Sequence, residues 1–410
     1  MNNTRFYQHK LVSNWLIRFA YVLIVIISTS SFADENDKPK QVEAANAPQE
    51  WVVVLRDPRP ARLQGWNSNR YRNQASYNTS DFKRIGTKFA KKNGLKLKQE
   101  WFIETLAVYC LIVEFTGDTE STLNALEKND SVEWVQKSND FKLLSAENIT
   151  IDKDIPVTQQ DRKHMNYNGQ GTVIAIIDSG VDKLHQDLSH AIKNTSDFVI
   201  TNSQTTGNKS IAENHGTAIA GVLIAQPNNK LGLSGVAPAA QLLAFRGCWE
   251  EASKATHCNT LSLARALDAV IKIQPDILNL SLSGPYDPLL NRLIDMVIKN
   301  KTIIVAAFDP VRSNKERFPS PREGILIVRA ENLNPEFTNT FTAPGSQIVP
   351  TPNDNYSFQT GHSIASAHTS GVLALLTEAR NNNPKIQSVI DQAFNGEFKS
   401  SDLLLNHLQH

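Results

Sequence analysis

Hydrophobic positions change their rhythm part-way along this chain. Residues 51–55 form an apolar run that reads as a strand, and 80–91 read as a helix with Phe82, Ile85 and Phe89 on one face. Two strand-like runs follow, 97–103 and 107–115. A helix over 119–128 places Leu123 and Leu126 together, and 132–135 closes the series as a last strand. This pattern predicts a small α+β unit over 50–145. Residues 140–165 are polar and lack a period, so the boundary is expected there, with 146–165 as a linker that would hold a processing site. From Gly171 the runs lengthen: 172–177, 242–245, 276–282, 302–307 and 324–328 have the composition of strands buried on both faces. Helical patterns over 215–225, 259–273, 288–300 and 364–377 alternate with them. Such alternation predicts an α/β domain over 166–410, a parallel sheet flanked by helices on both faces. Sheets of that kind bind ligands at the carboxyl ends of their strands, and Asp178 sits at one such end.

The N-terminus has another logic. Arg5, Lys10 and Arg18 precede the apolar run 19–27, and Ser31 and Ala33 supply small residues just beyond it. That run is too short for about 30 Å of hydrocarbon, so 1–33 reads as a secretory signal peptide. Residues 34–49 read as a flexible lead-in. A secreted or periplasmic protein is expected, with no membrane anchor once the signal is removed. In the 410-residue chain, 40% of residues are hydrophobic and 20% charged, as in ordinary globular proteins. A net charge of +1 gives no reason to expect nucleic acid or an acidic membrane as partner. Cys248 and Cys258 bracket a short polar loop, close enough for a hairpin bridge that an oxidising compartment would close. Cys110 reads as a buried free thiol. In the plainer alternative all three cysteines are unpaired core residues.

Three short blocks carry potential chemistry. Asp178 ends a buried run before Ser179-Gly180, where a carboxylate is costly unless it is hydrogen-bonded. His215 opens a helix of small residues, and Ser363 opens an apolar one. A serine hydroxyl needs a histidine to remove its proton, and that histidine needs a carboxylate to fix its tautomer. Singly, each has an ordinary reading: a turn aspartate, a helix-start histidine, a helix-capping serine. The stretch 361–365 half-resembles the nucleophile elbow of α/β-hydrolase esterases, but there the acid and histidine would have to follow Ser363.

In the order Asp178, His215, Ser363 these blocks resemble the subtilisin-like serine proteases, the subtilases of peptidase family S8. The resemblance implies a secreted endopeptidase acting on polypeptides through an acyl-enzyme. Ser363 would be the nucleophile, His215 the base and Asp178 its orienting acid. The N-terminal unit is similar to the ferredoxin-like inhibitory propeptide of that family, with 129–135 resembling its closing motif. The chain would thus carry its own inhibitor as an intramolecular partner. Residues 276–284 resemble the family's substrate-binding strand, which implicates Ser281, Leu282, Ser283 and Gly284, and 341–345 match the block ahead of the serine. No cofactor is required by this chemistry. The stretch 227–238 resembles the family's calcium-loop region, and the resemblance implies that Asp187 and Asn229, with backbone carbonyls of that loop, would hold one structural Ca²⁺.

Departures from the family pattern concern the oxyanion site. Phe308-Asp309 stands where the family has Gly-Asn. An ionised Asp309 would repel a developing oxyanion by about 5 kcal/mol at ~3 Å and an effective dielectric near 20. A neutral Asp309 would donate as the amide does, implying an enzyme that works best at mildly acidic pH. The alternative is a catalytically impaired subtilase-like binding protein. His362 replaces a Thr beside the serine and Ala367 replaces a Pro. Phe308 and Arg317 fall where glycines usually surround the first specificity pocket, which suggests a narrowed or chemically altered pocket.

Overall fold

Strand β1 (Glu50–Arg56) shows why the N-terminal unit holds together, because both of its faces are buried. Val52 and Val54 point one way, Trp51, Val53 and Leu55 the other. The computed structural model describes residues 48–56, 79–144, 148–150, 166–199, 211–227, 229 and 234–408. The expected signal peptide 1–33, nearly all of the lead-in 34–49 and most of the linker 146–165 lie outside the described residues. After β1 come α1 (Thr79–Lys92), β2 (Leu95–Ile103), β3 (Val108–Phe115), α2 (Thr119–Glu127) and β4 (Val132–Lys137). They form an antiparallel sheet in the order β2-β3-β1-β4. Asp118 caps α2 by accepting the Ser121 N–H at 2.8 Å.

Two short strands follow, β5 (Asp140–Leu143) and β6 (Asn148–Thr150). The main domain then runs β7 (Val173–Asp178), β8 (Ile192–Asp197), α3 (Asn214–Ile224), β9 (Gln241–Arg246), β10 (Cys248–Glu250), β11 (Thr256–Asn259) and α4 (Thr260–Ile273). It continues with β12 (Ile277–Leu280), β13 (Leu282–Pro285), α5 (Pro288–Lys299), β14 (Ile303–Ala307), β15 (Arg317–Phe318), β16 (Ile325–Ala330) and β17 (Phe341–Ala343). The hairpin β18 (Ser346–Thr351) and β19 (Asn355–Thr360) leads into the long helix α6 (His362–Asn382), followed by α7 (Ile386–Phe394) and α8 (Ser401–Leu405).

Seven strands make the expected parallel sheet, in the order β17-β16-β14-β12-β7-β9-β8. Ile174 and Ile176 of β7 pack on one face with α3 and α6, while Ala175 and Ile177 pack on the other with α4 and α5. The faces Val52, Val54, Cys110 and Ile112 of the N-terminal sheet share that second core. Asp287, which caps α5, adds polar contacts to the same unit: Gln136 Nε2 donates to it at 2.8 Å and Asn139 Nδ2 at 3.0 Å. From Gln49 onward the chain is one compact unit. Among the described residues, no helix is long and apolar enough to cross a membrane.

Two expectations are corrected. The run 276–282 is not one strand. It breaks at Ser281, so β12 stays in the parallel sheet and β13 leaves for a second, five-stranded one. Residues 140–143 are not aperiodic linker but strand β5, lying between β11 and β13 in the order β10-β11-β5-β13-β15. Phe141 and Leu143 are buried while Asp140 and Lys142 are exposed, an alternation too short to stand out in the sequence. The Cys248–Cys258 disulfide closes the β10–β11 hairpin, and Cys110 is a buried free thiol.

Candidate active site

The carboxyl end of β7 delivers Asp178, and the first turn of α3 delivers His215 directly across from it. His215 Nδ1 donates to Asp178 Oδ1 at 2.7 Å, with both side chains buried. Asp178 Oδ1 also accepts the Ser179 N–H at 2.7 Å. Burial opposes the imidazolium form, but the Asp178 charge, its hydrogen bond and the Glu250 charge outweigh it, so the His215 pKa is raised. With Nδ1 carrying the proton, Nε2 is the free base. It is buried and has no hydrogen-bond partner among the described residues. Gly216 allows this close approach of α3 to β7, since a Cβ there would lie 2.3 Å from the Ser179 carbonyl oxygen.

Two glutamates that sequence reasoning missed hold this pair in place. Glu250 accepts the backbone N–H of His215 at 2.6 Å and that of Asn214 at 3.1 Å, satisfying donors at the start of α3. It also accepts the Ser179 hydroxyl at 3.2 Å. Behind it, Glu213 takes a two-pronged contact from Arg246, 2.8 Å from Nε and 2.8 Å from Nη2, and accepts the Glu250 N–H at 3.1 Å. Glu250 sits inside the disulfide-closed hairpin. The only sequence signal was a pair of carboxylates, one two residues before His215 and one two residues after Cys248.

Ser363 lies at the start of α6, but its hydroxyl is not bonded to His215. Ser363 Oγ is 2.8 Å from the carbonyl oxygen of Leu144 and 3.1 Å from that of Ser281. The Ser363 N–H donates to the same Leu144 oxygen at 3.4 Å, and the Leu144 N–H donates to the Ser281 carbonyl at 3.1 Å. Leu144 directly follows β5, whose residues Leu143 and Lys142 pair with Leu282 and Ser283 of β13. Phe141 of β5 lies against Gly284 and stacks edge-on with Phe318, ring centroids 5.5 Å apart. An extended segment of the chain itself thus runs through the predicted substrate residues 281–284 and presents a carbonyl to the serine. Leu144 was not among the residues singled out in the sequence.

Asp309 does not behave as expected. Its carboxylate accepts from Ser283 Oγ at 2.5 Å, from the Val311 N–H at 2.8 Å and from Arg312 Nη1 at 3.0 Å. Burial raises its pKa, but these donors and the Arg312 charge prevail and hold it below the ordinary value. Asp309 is therefore ionised, and the neutral, donating form is not the one its surroundings favour. His362 is neutral instead: burial and the Arg329 charge bring its pKa down to about 4. Its Nδ1 accepts the Ala330 N–H at 3.0 Å, which fixes the ring beside Ser363.

Asp187 and Asn229 meet, as the calcium expectation requires of them. Asp187 accepts from the Asn229 amide through one oxygen and from the Tyr356 hydroxyl at 2.7 Å through the other. Among the described residues no cluster of three or more His, Cys, Asp or Glu side chains is arranged to hold a metal. Residues 228 and 230–233, whose backbone carbonyls the expected Ca²⁺ site would use, lie outside the described residues.

The model of the subtilase family matches residues 169–397. A thermophilic serine proteinase of Bacillus sp. (strain AK1) is 29% identical over 293 residues, covering 67% of this chain and 71% of the relative. The major intracellular serine protease of Bacillus subtilis (strain 168) is 29% identical over 223 residues, covering 51% of this chain and 69% of its own. Among solved structures, the epidermin leader peptide processing serine protease of Staphylococcus aureus superposes with a TM-score of 0.57 at 19% identity, covering 83% of this chain and 92% of that one.

Proposed function

This chain belongs to the subtilase family of serine proteases, and from that premise we propose that it is a secreted endopeptidase whose first substrate is its own N-terminal unit. The observation that carries the reading is the Leu144 carbonyl, which sits against both Ser363 Oγ and Ser363 N–H at the end of a strand held like a bound substrate. Ser363 Oγ attacks that carbonyl carbon and its proton passes to His215 Nε2. Asp178 keeps the proton on Nδ1 and stabilises the imidazolium. The Ser363 N–H, at the start of α6, donates to the oxyanion. His215 then gives its proton to the leaving amine of Ser145, leaving an acyl-enzyme on Leu144 that water hydrolyses. Until β5 leaves the cleft, the N-terminal unit acts as an intramolecular inhibitor. Export is supported by the basic-then-apolar character of 1–33 and by the Cys248–Cys258 bridge.

A second reading is favoured by the ionised Asp309, which supplies no side-chain donor to the oxyanion: a subtilase-like binding protein with little turnover. Expression of wild type beside Ser363→Ala decides between them. The protease reading expects wild type to yield a fragment beginning at Ser145 and to react with a fluorophosphonate, while Ser363→Ala stays joined. A wild-type chain that remains uncut and unlabelled overturns it.

A further inference from the structure

The cleft is engaged on both sides of Leu144. Upstream, β5 fills the gap between β11 and β13. Downstream, β6 pairs antiparallel with β19, setting Asn148 against Gln359, Ile149 against Phe358 and Thr150 against Ser357. Asn148, Ile149 and Thr150 are the fourth, fifth and sixth residues beyond Leu144. Without β6, β19 would be the open edge of a two-stranded hairpin, since the sheet order is β18-β19-β6. The same strand runs straight into Gly361 and Ser363. A cavity of about 600 Å³ opens between His215 and Glu250 on one side and Tyr356 and Gln359 on the other, giving leaving-side residues room between the catalytic pair and β19.

We propose that β19 is a docking strand for the leaving-group side of substrates, taking the backbone of the fourth to sixth residues beyond the cut by strand addition. This rests on the protease reading above. The ligand class is extended polypeptide, recognised through main-chain hydrogen bonds and not through one side chain. In the precursor β6 occupies the strand, and after processing a substrate replaces it. The enzyme therefore favours long, unfolded stretches over short peptides.

The test uses the processed wild-type enzyme and three peptides that share the sequence 140–144 upstream of the cut. One continues for two residues, one for six, and one for six with N-methylated amides at the fourth, fifth and sixth. Two or three backbone hydrogen bonds predict a KM about tenfold lower for the unmodified six-residue extension, with the N-methylated peptide returning to the short-peptide value. Equal KM values in all three, with normal turnover, overturn the proposal, whether because β6 stays on β19 or because β19 takes no part. If no peptide is cut and Ser363 is not labelled by a fluorophosphonate, the protease reading itself has failed and the docking strand falls with it.

Discussion

Glu250 accepts the backbone N–H of His215 at 2.6 Å, so a carboxylate from the disulfide-closed hairpin grips the helix turn that carries the candidate base. The charge does two things. It satisfies the start of α3, and with Asp178 it raises the His215 pKa against the effect of burial.

The sign of the pH effect follows. His215 must be neutral to take the serine proton, so kcat/KM climbs as pH rises through a pKa above the ordinary histidine value. Glu250→Gln keeps an acceptor for the N–H groups but removes the charge. The acid limb of the rate–pH profile is expected to move to lower pH, by up to about one unit. Glu250→Ala should in addition lower stability by about 1 kcal/mol, the usual cost of losing a helix cap. Rate–pH profiles and denaturant melts of both variants check this. A limb that stays in place would show that Glu250 does not act on His215.

Gly284 faces Phe141 so closely that a Cβ would lie 2.1 Å from the ring. Gly284→Ala should therefore lower kcat/KM about 10- to 100-fold for peptides with an aromatic residue at the fourth position before the cut, a typical overpacking penalty. Peptides with alanine at that position should be little affected. Equal losses for both peptides would place the effect elsewhere.

Asp309 stays ionised across the working range because Ser283, Val311 and Arg312 hold its charge. No acidic optimum is expected from its protonation. Asp309→Asn should raise kcat about tenfold by removing negative charge near the oxyanion, and should leave the acid limb where His215 puts it. Steady-state kinetics across pH check both parts, and an unchanged kcat would remove Asp309 from the oxyanion's surroundings.

The parallel sheet was legible because its central strands are buried on both faces: residues such as Ile174, Ile176 and Ile177 leave an unbroken apolar trace. Edge strand β8 left none, because Lys193, Asn194 and Ser196 face outward or half outward. Asp178 and His215 were legible from their blocks, and the structure joins them. Glu250 was not, because what it grips at the start of α3 includes backbone N–H groups that any sequence supplies. Strand β5 was hidden for a similar reason: it is held by main-chain pairing and carries only the faint alternation of Phe141 and Leu143. Asp309 was visible, but its protonation depends on Arg312 and Ser283, whose proximity only the fold decides.

The shared core described for the N-terminal sheet bears on timing. Val52, Val54, Cys110 and Ile112 lie in the same apolar cluster as residues of α4 and α5. Severing the chain after Leu144 removes a covalent tether but leaves that cluster, and the Asp287 contacts, untouched. On the proposed reading, scission and awakening are then two separate events. The delay between them is set by how long the severed piece keeps its own shape, because once it unravels it has no folded apolar face left with which to return.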